Sequence, residues 1–316
     1  MSGTEAELPP AIVTAKPVSD PGNKTEPPVP VSGSAQWIRK VKLIVAEDGG
    51  HALDLSEMRI VFTVQQSTIQ TPNQARIRVY NLSEETTQRV QLEFTKVILQ
   101  AGYTANLGNI FAGEIRQVRR GRESATDTYL EIIAGDGDRP YVWGTVNFSL
   151  AAGATHRDVI EAVVKELKPY GVTLGYLPPL PETRAVRGQA FSGMARDVLR
   201  EIAAELDMTW YIENGQIIFL PKNGYIPGEA VVLNSASGLI GMPEQTIGGI
   251  EARCLLNPRI HVGRLVHINN RDINEGRISL ARTDGAAFGN HLLLHGEARI
   301  ADDGFYRVLC ADHIGD

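Results

Sequence analysis

The sequence predicts a mainly β, multidomain α+β fold in which two β-rich blocks flank a small α/β unit. Three observations carry this: two stretches of short runs rich in Val, Ile, Thr and aromatics, an intervening stretch with helical periodicity, and a faint repeat between the outer blocks. At 316 residues the chain is long enough for two or three domains.

Residues 1–35 hold seven of the seventeen prolines and no aromatic residue, so they read as a flexible Pro-rich arm without a core of its own. No Lys or Arg precedes Lys16 and no long apolar run follows Met1, which argues against a secretory signal and for cytosolic synthesis. The first β-rich block, residues 36–150, contains the runs Trp37–Ala46, Met58–Gln65, Ala75–Tyr80, Lys96–Ala101, Ile110–Arg119, Thr128–Ala134 and Tyr141–Leu150. Seven such runs bounded by Gly, Asn, Asp or Pro imply a barrel or sandwich. Ser83 is placed to cap a helical turn whose Glu84 and Glu85 suit a positive helix N-terminus.

In residues 151–227 the period changes. Thr155 and Asp158 form a capping-box pattern, and Val159, Ile160, Val163, Val164 and Leu167 line one face of a helix that Gly171 ends. A second helix begins near Ser192 and buries Met194, Val198, Leu199, Ile202 and Leu206. Between Thr209–Glu213 and Gln216–Leu220, Asn214-Gly215 predicts a type I′ hairpin, and Val172–Tyr176 adds a strand. After the connector Lys222–Gly228, residues 228–316 return to β-type runs at Ala230–Leu233, Gly249–Leu256, Leu265–Asn269, His291–Ile300 and Gly304–Cys310. The repeat matches Lys96–Leu99, Gly113–Arg116 and Tyr129–Ala134 to Arg264–His267, Gly296–Arg299 and Tyr306–Ala311.

Composition narrows function by exclusion. Apolar runs fall far short of the roughly 20 residues that span a bilayer, so no membrane anchor is expected. A net charge of −6 disfavours a dedicated nucleic-acid binder. Two cysteines, Cys254 and Cys310, cannot build a disulfide framework and read as reduced thiols.

Candidate chemistry is sparse. No nucleophile elbow, Walker loop or His-Glu-x-x-His motif occurs, so no enzyme and no cofactor is expected. Gly241–Gly249 is glycine-rich without a nucleotide-fold context and reads as a turn. His291 and His295 stand in a β-type run, which disfavours a metal site. Asp136 and Asp138 resemble part of a calcium loop or a carboxylate pair, but the motif stops short of an EF-hand and reads as a glycine-rich turn. Arg116, Arg119, Arg120 and Arg122 fall within seven residues, and regular strand alternation puts Arg116, Arg120 and Arg122 on one side. They read either as a solvated edge that blocks strand pairing or as a subunit contact or track facing nucleic acid, which makes them the candidate interface or lumen residues.

Arg76–Ser83, Leu99–Tyr103, Ile110–Ile115 and the run Gly238–Pro258, with Gly241-Met242-Pro243-Glu244 and Cys254-Leu255-Leu256-Asn257-Pro258, resemble baseplate hub proteins of long-tailed bacteriophages. The similarity spans Trp37 to the C-terminus. It implies two tube-like β-barrel domains flanking the α/β domain, related to hubs of contractile injection systems. It further implies a homotrimer with a pseudo-sixfold face, a symmetry adapter that joins a tail tube or distal tail protein to a spike or tip protein. Tape measure protein and DNA would pass through it during genome delivery, with assembly in the host cytoplasm and residence in the virion tail baseplate. The chain stops at Asp316 just after a strand, so either the last barrel is short or the sequence is truncated there. Two other readings compete. A cell-wall-degrading enzyme needs converging carboxylates or a metal set, and a receptor- or carbohydrate-binding tail module needs an exposed aromatic platform, whereas all three Trp lie in apolar strand-like contexts.

Overall fold

The computed structural model describes residues 11–17, 30–31, 36–47, 50–246, 248–273 and 303–316. In chain order the strands are β1 (Ala11–Pro17), β2 (Pro30–Val31), β3 (Arg39–Ala46), β4 (Ala52–Asp54), β5 (Ile60–Ser67), β6 (Gln74–Tyr80), β7 (Lys96–Tyr103), β8 (Asn106–Arg122), β9 (Thr128–Gly135) and β10 (Thr145–Leu150). They continue with β11 (Thr173–Leu174), β12 (Gln189–Met194), β13 (Met208–Glu213), β14 (Gln216–Pro221), β15 (Ala230–Leu233), β16 (Leu239–Thr246), β17 (Gly249–Cys254), β18 (Leu265–Ile268) and β19 (Phe305–Gly315). The α-helices are α1 (Glu84–Leu92), α2 (Asp138–Trp143), α3 (His156–Leu167) and α4 (Ala195–Glu205).

The fold is mainly β. Alternation of side chains explains the strands: Ile60, Phe62 and Val64 of β5 point inward beside Ala75, Ile77 and Val79 of β6, with Thr63 and Arg76 between them on the other face. A 14-stranded sheet runs in the order β16-β17-β1-β19-β5-β6-β9-β8-β7-β3-β4, with β15, β18 and β2 attached beside it. Strands of both outer blocks therefore share one hydrogen-bonded sheet, joined where β19 pairs with β5 from Cys310↔Ser67 to Gly315↔Phe62. Among the described residues no pair closes the path end to end.

Three apolar clusters form the interior. One is built around Phe62, Ile77, Leu99 and Ile132. A second joins Val13, Ile250, Tyr306 and Val308. The third packs α3 and α4 against Trp210, Ile217 and Phe219. Local signals act as their chemistry requires. Ser83 Oγ accepts from Thr86 N at 3.1 Å, and the Thr155 capping box is complete, with Thr155 N donating to Asp158 Oδ2 at 2.7 Å. Asn214 (φ 51°) and Gly215 (φ 73°) turn the β13–β14 hairpin through the left-handed region.

The described part of the N-terminal arm departs from expectation. Ala11–Pro17 is an inner strand of the large sheet, paired with β17 on one side and β19 on the other, and Ala11, Val13 and Ala15 are buried. Ala-Ile-Val-Thr-Ala is too short and too weakly apolar to announce itself, and it becomes a strand because both neighbours offer ladders. Pro17, which has no N–H to donate, marks its end.

Three further segments differ. Tyr141–Trp143 belongs to α2, whose Pro140 sits in the first turn where no N–H is needed, and only Thr145–Leu150 is a strand. That strand pairs with β12, so Gln189–Met194 is extended and α4 starts at Ala195, beyond Ser192. Gly241–Thr246 lies in β16 with a register irregularity between Ile240 and Glu244, so a strand occupies most of the expected turn.

The repeat finds limited counterpart. β8 separates β7 from β9 in the first block, whereas β18 pairs directly with β19, and β15 runs parallel to β18. Gly296–Arg299, His291 and His295 and the expected strand His291–Ile300 lie outside the described residues.

Candidate functional site

The arginine-rich end of β8 is shaped by a bulge. Ile115 pairs with Ala134 and Gln117 with Ile133, leaving Arg116 as the extra residue. Alternation is reset there, and the expected common side for Arg116, Arg120 and Arg122 is lost. Arg116 turns over Gly135, where an added Cβ would meet its guanidinium, and it ion-pairs with Asp138 at the start of α2. Arg120 and Arg122 lie on the opposite face, paired in register with Leu130 and Thr128, and Arg120 reaches Glu84 of α1. Arg122 forms no ion pair among the described residues and is exposed.

The face carrying Arg116 gathers other arginines that sequence spacing did not single out. Register places Arg78, Glu131 and Arg119 side by side across β6, β9 and β8, with Arg76 two residues along. Arg78 Nε donates to Glu131 Oε1 at 3.0 Å, while Arg119 Nε lies 3.6 Å from Oε2 and Arg76 Nε 4.0 Å from Oε1. Glu131 is buried beneath them. Arg78 also lies over the Tyr129 ring, 4.8 Å from its centroid.

A second constellation is buried where the hairpin meets both β-blocks. Asp136 carries no calcium-loop geometry. Its carboxylate accepts from the backbone N–H of Gly215 at 3.0 Å and from that of Asn214, satisfying the two donors at the hairpin tip. Asn73 Nδ2 donates to the Ile212 carbonyl at 3.2 Å, and its own carbonyl accepts from Asp136 N at 2.8 Å. Toward the C-terminal block, Glu213 Oε1 lies 3.0 Å from His261 Nδ1, and the Tyr211 hydroxyl donates to the Val262 carbonyl at 3.2 Å. Burial raises the Asp136 carboxyl to about 7, with Glu213 and Glu114 adding in the same direction against the two backbone donors. Burial, with His261 nearby, lowers His313 to about 4.

A cleft of about 250 Å³ in the α/β unit is lined by His156, Arg184, Glu201 and Glu205. His156 Nε2 lies 3.3 Å from Glu205 Oε1. Glu201 and Glu205 are one turn apart on α4, so both carboxylates occupy one wall, whereas glycosidic cleavage needs carboxylates flanking the bond. Among the described residues no three His, Cys, Asp or Glu side chains converge on a metal position. Cys254 is buried and Cys310 exposed. Two of the three tryptophans, Trp37 and Trp143, are exposed, contrary to their strand-like contexts, and Trp210 alone is core.

No family model and no curated protein matches the chain. Among solved structures the chain is similar to a 43 kDa tail protein of prophage MuSo2 from Shewanella oneidensis, with a TM-score of 0.44 and 10% identity over 80% of this chain and 78% of that one. It is similar also to an E. coli component of the type VI secretion system, described as resembling T4 bacteriophage tail proteins gp27 and gp5. There the TM-score is 0.46 at 12% identity, over 81% and 73% of the two chains. A third likeness is to a Francisella PdpA-VgrG complex, with a TM-score of 0.39 and 7% identity over 78% of this chain and 46% of that one.

Proposed function

We propose that this chain is a structural hub subunit of a phage-type tail, placed in the baseplate between the tail tube or a distal tail protein and a spike or tip protein. The observation that carries the reading is the joint between β19 and β5, which ties the two β-blocks and β1 into one sheet. A ring that transmits load and keeps a passage open needs such a frame more than it needs reactive groups. The buried polar constellation around Asp136 has its donors and acceptors turned on each other and on the backbone, which suits a fixed joint and not catalysis.

In this reading residues 36–150, 151–227 and 228–316 act as first β-domain, α/β domain and second β-domain. Three copies close a ring through which tape measure protein and DNA pass. Two β-blocks per chain supply six blocks around the axis, a pseudo-sixfold arrangement. Arg116, Arg120 and Arg122 are the candidates for a ring junction or the lumen, Arg116 being paired within the chain with Asp138 and Arg120 with Glu84. Native mass spectrometry of the purified protein and imaging of tail particles test the proposal. A threefold ring at the tail tip is expected, and a stable monomer or twofold dimer in assembled particles overturns it. Hydrolysis of peptidoglycan by the purified chain would favour the enzyme reading instead.

A further inference from the structure

We propose that the face of β6, β9 and β8 bearing Arg76, Arg78 and Arg119 around Glu131 is a contact surface for the phosphate backbone of a nucleic-acid strand. The inference rests on the hub reading, in which a strand moves past the subunit, and adds the surface it touches. The whole chain has a net charge of −6, yet on this patch three guanidinium groups surround one carboxylate. Solvent meets almost only the cations: the Arg76 and Arg119 side chains are 66% and 58% exposed, that of Glu131 4%. Glu131 thus acts as a buried anchor that orients the arginines without cancelling them. Asp138, paired with Arg116, Glu114, in register with Gly135 and near Arg139, and Asp312 of β19, opposite Gln65 of β5, bound the face.

The neighbours on the face decide which polyanion fits. Thr63, Gln65, Gln74 and Gln117 share it by register with the half-buried Val61 and Ile133, and none of the large exposed apolar side chains does. A protein partner would need an apolar or aromatic anchor at the centre of its contact. Such side chains, Trp37, Ile38, Ile240 and Met242, stand elsewhere. Arg78 covers the Tyr129 ring, so no open aromatic face is offered for base stacking. What remains is a set of planar forks suited to phosphate oxygens and blind to sequence. Binding of that kind is weak, salt-sensitive and compatible with sliding, as a moving strand requires.

The test is fluorescence anisotropy of a labelled oligothymidylate of about twenty nucleotides with the full chain across a salt series, beside a poly-glutamate peptide of equal charge. The variant R76Q/R119Q keeps Arg78 on Glu131, and R76K/R119K keeps the charge. Loss of two phosphate contacts should lower the log–log salt slope by about 1.4, at about 0.7 per contact on a single strand. The lysine variant should keep most of that slope. If the double glutamine variant does not fold by circular dichroism, R76Q alone should lower the slope by about 0.7. An unchanged slope in the glutamine variant overturns the proposal, as does poly-glutamate binding as tightly as the oligonucleotide. Native mass spectra of the same samples report ring formation separately. The hub reading falls if no ring forms, whereas the surface assignment falls on the slope.

Discussion

The carboxylate of Asp136, directly after β9, accepts a 3.0 Å hydrogen bond from the backbone N–H of Gly215, 79 residues later at the tip of the hairpin. Asp136 also takes the Asn214 N–H, so one side chain supplies the acceptors that a two-residue turn cannot supply for itself. The end of an inner strand and a hairpin tip from different blocks are thereby held as one joint.

Replacing Asp136 with Asn should destabilise the protein by about 1–3 kcal/mol, because both oxygens of the carboxyl group accept from the tip's N–H groups, protonated or not, whereas the amide nitrogen that replaces one of them cannot accept. Chemical denaturation at pH 6 measures it. Unchanged stability would mean that water serves the tip equally well.

The pH dependence follows from two opposed groups. Asp136, raised to about 7 from an ordinary 3.8, keeps a proton in the folded chain that the unfolded chain has released, so its contribution to stability falls as pH rises between those values. His313, lowered to about 4 from 6.5, contributes stability that is present above 6.5 and lost as pH falls toward 4. The two slopes offset each other in the wild-type chain. Relative to wild type, D136N should gain stability with rising pH between about 4 and 6.5, and H313F should lose it. Equal slopes in all three proteins, from denaturation midpoints across that range, would refute the assignment.

Strand β1 should be required for the fold. Val13 is fully buried between β17 and β19, so Val13→Asp leaves an unpaired charge in the core and should cost more than about 3 kcal/mol. Deleting residues 1–17 should abolish the cooperative unfolding transition. Survival of that transition would show the second cluster to be stable without the strand.

Gly215→Ala should cost about 1–2 kcal/mol, the price of an L-residue in the left-handed region. An added Cβ would lie 3.7 Å from the nearest atom, the Gly171 carbonyl oxygen, so no steric term adds to it. A larger loss in thermal or chemical melts would point to displacement of the Asp136 contacts.

Thiol labelling should separate the cysteines. Burial raises Cys254 to about 12 and shields it, whereas Cys310 is exposed, although partial burial and Asp312 raise its thiol as well. A chromogenic disulfide reagent should count one slow-reacting thiol in the folded chain and two in denaturant. Two thiols reacting before unfolding would contradict the burial of Cys254.

Local chemistry was legible from the sequence wherever neighbours in the chain decide the outcome. The Thr155–Asp158 cap, the apolar face of α3, the Asn214-Gly215 turn and the strands of the first block follow from short-range periodicity, because a repeat of 3.6 or 2 residues determines which side chains share a face. Tertiary structure alone decided what depends on partners distant in sequence. Ala11–Pro17 is a strand because β17 and β19 flank it. The bulge at Arg116, set by pairing with β9, moves that arginine away from Arg120 and Arg122 and onto the face of Arg76, Arg78 and Arg119. Asp136 became a joint instead of a metal loop because the hairpin tip arrived with two unpaired N–H groups. Register and burial are properties of pairs of segments, and a single segment carries no record of its partner.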